Sequence, residues 1–215
     1  MSYDPQDEAR DAMYEAIGRE IYTEHKAQAI VEFTSERLQS YYVENPNVMR
    51  PAVDAIQEGR RLQKDGHSSA AVIFFVTAIE LLLKAALLKP VVHGLIHSNE
   101  LADVIVQHTL GQSGFDRYTK LLAKLFNEIV AIDISAISRV DVSVPLMAEC
   151  TAQQVLRNKI IHQGALAEPE QAEQARLISV AVYELVVCPM LRHLELKVIE
   201  DGEIQIRDAK SVGNA

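Results

Sequence analysis

Apolar positions recur along most of this chain at the 3.6-residue spacing of helices, and clusters of proline, glycine and asparagine interrupt them at a few points. Asp4-Pro5 has the form of a helix start, with Asp as N-cap and Pro in the first turn. Helical periodicity follows through Tyr14, Ile17 and Ile21, with Gly18 as a point where the helix can bend. It continues through Ile30, Phe33 and Leu38 to Tyr41-Tyr42, and Glu44-Asn45-Pro46-Asn47 breaks it. A second helix is expected from near Pro51 to Lys64, with Asp65-Gly66 as its stop signal. Ser68-Ser69 should cap a long apolar helix that Pro90 ends at Lys89, with a loop over 91–98 after it.

The second half repeats this grammar. A short helix is expected over 99–110, a turn at Gly111-Gln112-Ser113-Gly114, and an amphipathic helix over 115–130 through Leu121, Leu122, Leu125, Phe126 and Ile129. Residues 133–144, rich in Ile, Ser and Val, read as extended or irregular. Pro145 opens another helix, and Glu168-Pro169 opens the last long one, which runs to about Leu194 with Pro189 placed to kink it. Over 196–199 and 203–206 the period changes to alternation around Asp201-Gly202, the pattern of a β-hairpin. Two strands alone are marginal, so the hairpin should pack on the helices or on another chain. Residues 211–215 read as a frayed end. The fold class this implies is all-α: an up-and-down bundle over 49–195, a helical extension over 1–48 and a small hairpin with its tail over 196–215.

The apolar helix after Ser68 has one polar stripe, Thr77, Glu80 and Lys84, at i, i+3 and i+7. That stripe must meet something polar, because an unpaired buried Glu or Lys is costly. It also argues against a bilayer span, although the segment from Ala70 to Leu88 is nearly long enough for one. A buried central helix and a cytoplasmic protein are the expectation, with an acidic N-terminus that lacks a secretory signal. Cys150 and Cys188 both sit in apolar helical contexts and read as reduced core residues.

Hydrophobic residues make up 48% of the 215 and charged ones 24%, the balance of an ordinary globular chain. Net charge is −9, which excludes a broad electrostatic footprint on DNA or RNA. A nucleic acid would have to be held locally, or with the help of a second chain. Arg60, Arg61 and Lys64 form a small basic cluster that reads as a solvated helix end able to add local phosphate contacts. His93 and His97 are four apart but have Gly94 between them and no third ligand nearby in sequence. No cofactor or metal is called for, and no glycine-rich phosphate loop or nucleophile elbow is present.

The densest chemistry is Arg157-Asn158-Lys159-Ile160-Ile161-His162-Gln163-Gly164, near the end of a helix with glycine where a left-handed cap would fall. Asn158 and His162 are four apart and share a face, and Arg157 lies about 100° around the same turn. A guanidinium binds phosphate in a bidentate way, and an imidazole moves protons near neutral pH. The same residues have plain structural uses: Arg157 as a partner of Glu80 or of the helix's last carbonyls, and His162 as a histidine favoured by the helix dipole.

Together these residues resemble the HEPN family. The helix pair joined at Asp65-Gly66, with the wording TAIELLLKAALL in its second member, is similar to that family's opening helices. LRNKIIHQG is similar to the family's hallmark of an Arg, a polar residue and, after four to six residues, a His; here Arg157 and His162 are separated by four. The resemblance covers roughly residues 50 to 195. It implies a metal-independent endoribonuclease with a composite site at a homodimer interface, in a bacterial toxin or antiphage setting, with RNA as substrate and an antitoxin or regulatory protein as a further partner. RNA carries its own nucleophile, the 2′-OH. His162 would then serve as general base or acid, and Arg157 would hold the scissile phosphate. Asn158 would orient His162 or bind phosphate, and Glu80 and Lys84 would position Arg157. The same outline also fits a non-catalytic dimerisation or adaptor bundle, or a helical small-molecule binding protein.

Overall fold

The computed structural model describes Met13, Glu15, His25, Lys26, Gln28 and residues 32–96, 98–110, 120–124, 126–127 and 131–207. The expectations for Asp4-Pro5 and Gly18, for the turn at 111–114 and for the end at 211–215 lie outside these residues. Helix α1 (32–44) stops at the Asn45-Pro46 break, where the Asn45 backbone N–H and side-chain amide both donate to the Tyr41 carbonyl at 2.9 Å. Helix α2 (Arg50–Lys64) has proline in its first turn and ends at Asp65, with Gly66 at φ 82° just beyond. Helix α3 (Ser68–Leu83) follows at once. Ser68-Ser69 do not cap it: His67 occupies the N-cap, and the Ser69 hydroxyl instead accepts the Ala167 N–H at 2.8 Å.

Pro90 does not end this helix. Ser68–Leu95 is one rod of 28 residues, made of α3, a π-helical turn at Lys84–Leu88 and α4 (Lys89–Leu95), so the loop expected over 91–98 is largely helix. In an α-helix the residue at 90 would donate to the Ala86 carbonyl, but proline has no N–H and its ring crowds that oxygen. The π turn widens the helix ahead of the proline, so that Lys89 N–H reaches back to the Lys84 carbonyl. The Ala86 oxygen accepts instead from the Tyr42 hydroxyl of α1 at 2.5 Å. Tyr42 is fully buried, and burial, with Tyr41 beside it, holds its pKa far above the usual tyrosine range. It is therefore a permanent donor. Arg37 of α1 completes the attachment, with Nη2 donating to the carbonyls of His93 at 3.2 Å and Ile96 at 2.8 Å at the end of α4.

Helix α5 (Asn99–Leu110) has the predicted bounds, and α6 (120–124 and 126–127) is helical within the stretch expected to be so. Residues 131–145 form irregular turns with an isolated bridge between Ser138 and Pro145. Helices α7 (Leu146–Gln163) and α8 (Pro169–Val182) begin where the prolines predicted, and Glu168 and Gln171 close a capping box on α8. A second π turn, Tyr183–Val187, leads into α9 (Cys188–His193), where Pro189 stands two residues past the turn as Pro90 does past the first. Strands β1 (Leu196–Val198) and β2 (Ile204–Ile206) pair antiparallel, Leu196 opposite Ile206 and Val198 opposite Ile204.

Helix α3 is the centre of the bundle and packs against α2, α7 and α8. One apolar cluster joins Leu38 and Tyr42 of α1, Ile79 to Leu88 of the central rod, Val182 to Leu191 of the last, and Leu196 and Ile204 of the hairpin. A smaller one joins Val72 and Phe75 to Ala172 and Ala175. The hairpin packs on the helices as its marginal size requires, and the Ile204 N–H donates to the Pro46 carbonyl at 2.8 Å. Two rods, Ser68–Leu95 and Pro169–His193, are long and apolar enough to cross a bilayer, and each buries half or more of its apolar window inside the fold.

Two substitutions test how α1 is held. Tyr42→Phe leaves the Ala86 carbonyl buried without a donor and should cost about 1–3 kcal/mol in urea unfolding with an unchanged m value. Alanine is preferred over glycine in a helix by about 1 kcal/mol, yet Gly94→Ala should destabilise by about 1–3 kcal/mol. The added Cβ would lie 2.7 Å from Leu38 Cδ2, inside the packed α1–α4 contact. A rise in stability in Gly94→Ala would mean that α1 yields freely.

Candidate functional site

Helix α7 carries the Arg157–His162 motif and is fixed at its start by a charged clamp. Arg139, in the turns before it, donates Nε to Glu149 Oε2 at 2.9 Å, Nη2 to Glu149 Oε1 at 2.6 Å and Nη2 to Gln174 Oε1 of α8 at 3.1 Å. Only 15% and 11% of the Arg139 and Glu149 side chains are exposed, so the pair is largely removed from water. Beyond it, Leu146, Met147 and Cys150 turn inward. Burial pushes the Cys150 thiol up to about 12, which leaves it neutral and unreactive, and neither cysteine is in a disulfide.

One turn further, the polar stripe of α3 meets α7. Gln154 Nε2 donates to Glu80 Oε1 at 3.1 Å, and Thr77 satisfies itself by donating to the Ile73 carbonyl at 2.9 Å. Glu80 thus braces α7 one turn before the motif, through Gln154. Among the described residues no ion pair joins Arg157 to Glu80, and Lys84 is itself a cation. Lys84, partly buried, opens the π turn of the central rod, and its carbonyl receives the Lys89 N–H.

Arg157 follows on the side of α7 that faces the bundle and is partly buried. Its Nη1 donates to Asn158 Oδ1 at 3.2 Å, while its Nε is buried with no acceptor among the described residues. A guanidinium N–H in that position has lost its water without replacement, at a cost of about 1–3 kcal/mol. Asn158 and His162 are exposed and one turn apart, and Gly164 ends the helix in the left-handed region at φ 67°, ψ 22°, with Ala165 N–H returning to the Lys159 carbonyl at 3.3 Å. Five residues carry a helix about 140° beyond a full turn, so Arg157 and His162 of one copy point in different directions. No hydrogen bond joins them. Apolar side chains flank the motif, with Val155 and Ile161 about half exposed and Leu166 at 84%.

The other candidates resolve differently. Arg61 is engaged with Glu58, Nε to Oε2 at 2.9 Å, and lies 3.9 Å from Asp65, so the cluster at the end of α2 is a solvated face on which Arg61 is paired. His93 is nearly buried against the Tyr41 ring, 5.1 Å between centroids, with Asp103 Oδ1 3.4 Å from its Nε2; its neighbour His97 is outside the described residues. One further feature has no counterpart in the sequence pattern. A cavity of about 220 Å³ lies between the last helical rod and the hairpin, lined in part by Tyr183, Arg192, Lys197 and Arg207. These residues come from three separate elements, so no local spacing announces them.

No family model, curated protein or solved structure matches this chain.

Glu149→Ala would leave Arg139 buried beside α7 without its counter-charge. It should cost about 2–3 kcal/mol in chemical denaturation. A loss below about 0.5 kcal/mol would show that the clamp does not hold the start of α7.

Proposed function

We propose that this protein is a HEPN-type endoribonuclease that acts as a homodimer in the cytoplasm, in a toxin or antiphage setting. The observation that carries the reading is the Arg157 guanidinium at the edge of an exposed Asn158–His162 face, with a buried Nε that lacks an acceptor. A scissile phosphate would meet the outer guanidinium nitrogens beside Asn158, while the buried Nε keeps the head group partly desolvated, and a desolvated cation binds an oxyanion more strongly than a hydrated one. The divergence of Arg157 and His162 within one copy supports a composite site, in which the arginine of one protomer and the histidine of the other meet across the interface. Val155, Ile161 and Leu166 supply apolar surface beside the motif that a second copy would cover.

The chemistry needs no group beyond RNA and these side chains. An imidazole takes the proton of the 2′-OH as the 2′-oxygen bonds to phosphorus. The bond from phosphorus to the 5′-oxygen breaks, and an imidazolium returns a proton to that oxygen. The products are a 2′,3′-cyclic phosphate and a 5′-hydroxyl. Arg157 stabilises the extra charge on the phosphorane, and Asn158 holds either the guanidinium, as in the free protein, or the phosphate. Glu80 acts at one remove, through Gln154 and the placement of α7. With a net charge of −9, RNA would be gripped at this cleft rather than along the surface.

A second reading rests on the same divergence. Without a partner to complete them, Arg157 and His162 make no site, and a bundle that dimerises elsewhere would be a non-catalytic adaptor. The decisive measurement is cleavage of a mixed RNA substrate in excess chelator, with end-group analysis and sedimentation of the same sample. Wild type should be a dimer and leave cyclic phosphates. His162→Ala should lose about 10²–10⁴-fold in rate and Arg157→Ala about 10²–10³-fold, with both variants still dimeric. Cleavage indistinguishable between wild type and His162→Ala would sink the catalytic reading, and an inactive dimer would establish the adaptor.

A further inference from the structure

We infer that the cavity between α9 and the hairpin is a binding site for a phosphomonoester, with Arg192 and Arg207 holding the phosphate and Leu191, Leu196 and Val198 receiving its carbon skeleton. The inference is independent of the α7 motif and shares no residue with it.

The charge at this place runs against that of the whole chain. Three cations, Arg192, Lys197 and Arg207, line one cavity in a protein of net charge −9. Arg192 and Arg207 have no ion-pair partner among the described residues. A cation in the last turn of a helix answers the dipole, and Arg192 stands there in α9. That dipole end is worth only about half a negative charge, so a second arginine leaves a clear surplus. Arg207 is held in place by its own backbone, whose N–H donates to the Glu195 carbonyl at 2.8 Å. Glu184 is the carboxylate that acts on Tyr183 from nearby; it is exposed and is not part of the lining.

Shape and the neutral groups narrow the ligand. At about 220 Å³ the cavity falls below the roughly 300–1,000 Å³ of sites for drug-sized molecules, which suits a phosphate on a sugar-sized skeleton. Leucine and valine side chains in the lining offer carbon surface and exclude a purely aqueous anion site. Tyr183 and Cys188, five apart, are brought to the lining by the π turn between them; such turns recur at functional sites because they re-aim side chains. Burial, then a hydrogen bond with Cys188, push the Tyr183 hydroxyl up to about 12, so it stays neutral at physiological pH. Two guanidinium forks donate toward an oxyanion with several acceptor oxygens, and a phosphate presents three.

Thermal unfolding at constant ionic strength tests this with ribose 5-phosphate against ribose as probes, on the full chain. Wild type should show a saturable rise of about 2 °C or more with ribose 5-phosphate and none with ribose. The double variant Arg192→Glu, Arg207→Glu changes two exposed side chains and should keep the helical circular dichroism while losing the response. Should that variant fail to fold, Arg207→Gln alone, read by phosphorus NMR titration of ribose 5-phosphate, should weaken binding at least about tenfold. A third arm compares short RNA with a 5′-phosphate or a 5′-hydroxyl. Saturation by ribose 5-phosphate assigns the cavity to a free sugar phosphate, and a response confined to 5′-phosphorylated RNA assigns it to an RNA end. No response of wild type to any phosphomonoester, an equal response to ribose, or an equal response of wild type and variant overturns the inference.

Discussion

One hydroxyl group keeps the central rod of this protein whole. Pro90 removes a donor from the last third of a 28-residue apolar helix, and the carbonyl it abandons at Ala86 lies in the core. Tyr42 answers that carbonyl from another helix, so a local defect becomes a tertiary contact. Through it α1 is bound to the bundle, and Arg37 repeats the device at the rod's far end by taking up the last carbonyls of α4. The turn that follows α1 then receives the hairpin, the Ile204 N–H donating to the Pro46 carbonyl.

The two proline sites share a solution and differ in what they serve. In each, a π turn ends two residues before the proline and the residue between them reaches back five positions for its acceptor. In the central rod the widened turn is covered by α1 and is part of the core. In the last rod it opens toward the hairpin, where Tyr183 and Cys188 line a cavity with three cations. The same backbone irregularity is structural where it is buried and a candidate binding feature where solvent reaches it.

Charge is distributed with similar economy. The chain is acidic overall, and Arg61, Arg139 and Arg176 are each answered by a carboxylate close by, Glu58, Glu149 and Glu173. Arg157, Arg192 and Arg207 have no such carboxylate among the described residues. Arg157 has only the Asn158 amide and a buried Nε without an acceptor, and the other two face a cavity. Phosphate recognition is proposed at both places because each presents an arginine without a carboxylate partner among the described residues, partly buried in α7 and at the mouth of a cavity beside the hairpin.

Most helix starts were legible in the order of residues, since Pro51, Pro145 and Glu168-Pro169 act on their own turn and need no distant partner. The same holds for the stops at Asp65-Gly66 and Gly164, which reflect a backbone angle that glycine accepts at little cost, and for the hairpin, whose period of two shows in six residues. Local rules failed where a distant atom took part. Pro90 read as an end because nothing near it in sequence can satisfy Ala86, and Ser69 read as a cap although its hydroxyl is taken by Ala167, 98 residues away. The site divides the same way: that Arg157, Asn158 and His162 share one helix end is a matter of spacing. That Glu80 reaches Gln154 rather than Arg157, that Nε of Arg157 is buried, and that Arg192 and Arg207 converge on one cavity follow only from how α3, α7, α9 and the hairpin pack. Spacing along a helix sets angles within it, whereas desolvation and convergence are properties of the surfaces that close around it.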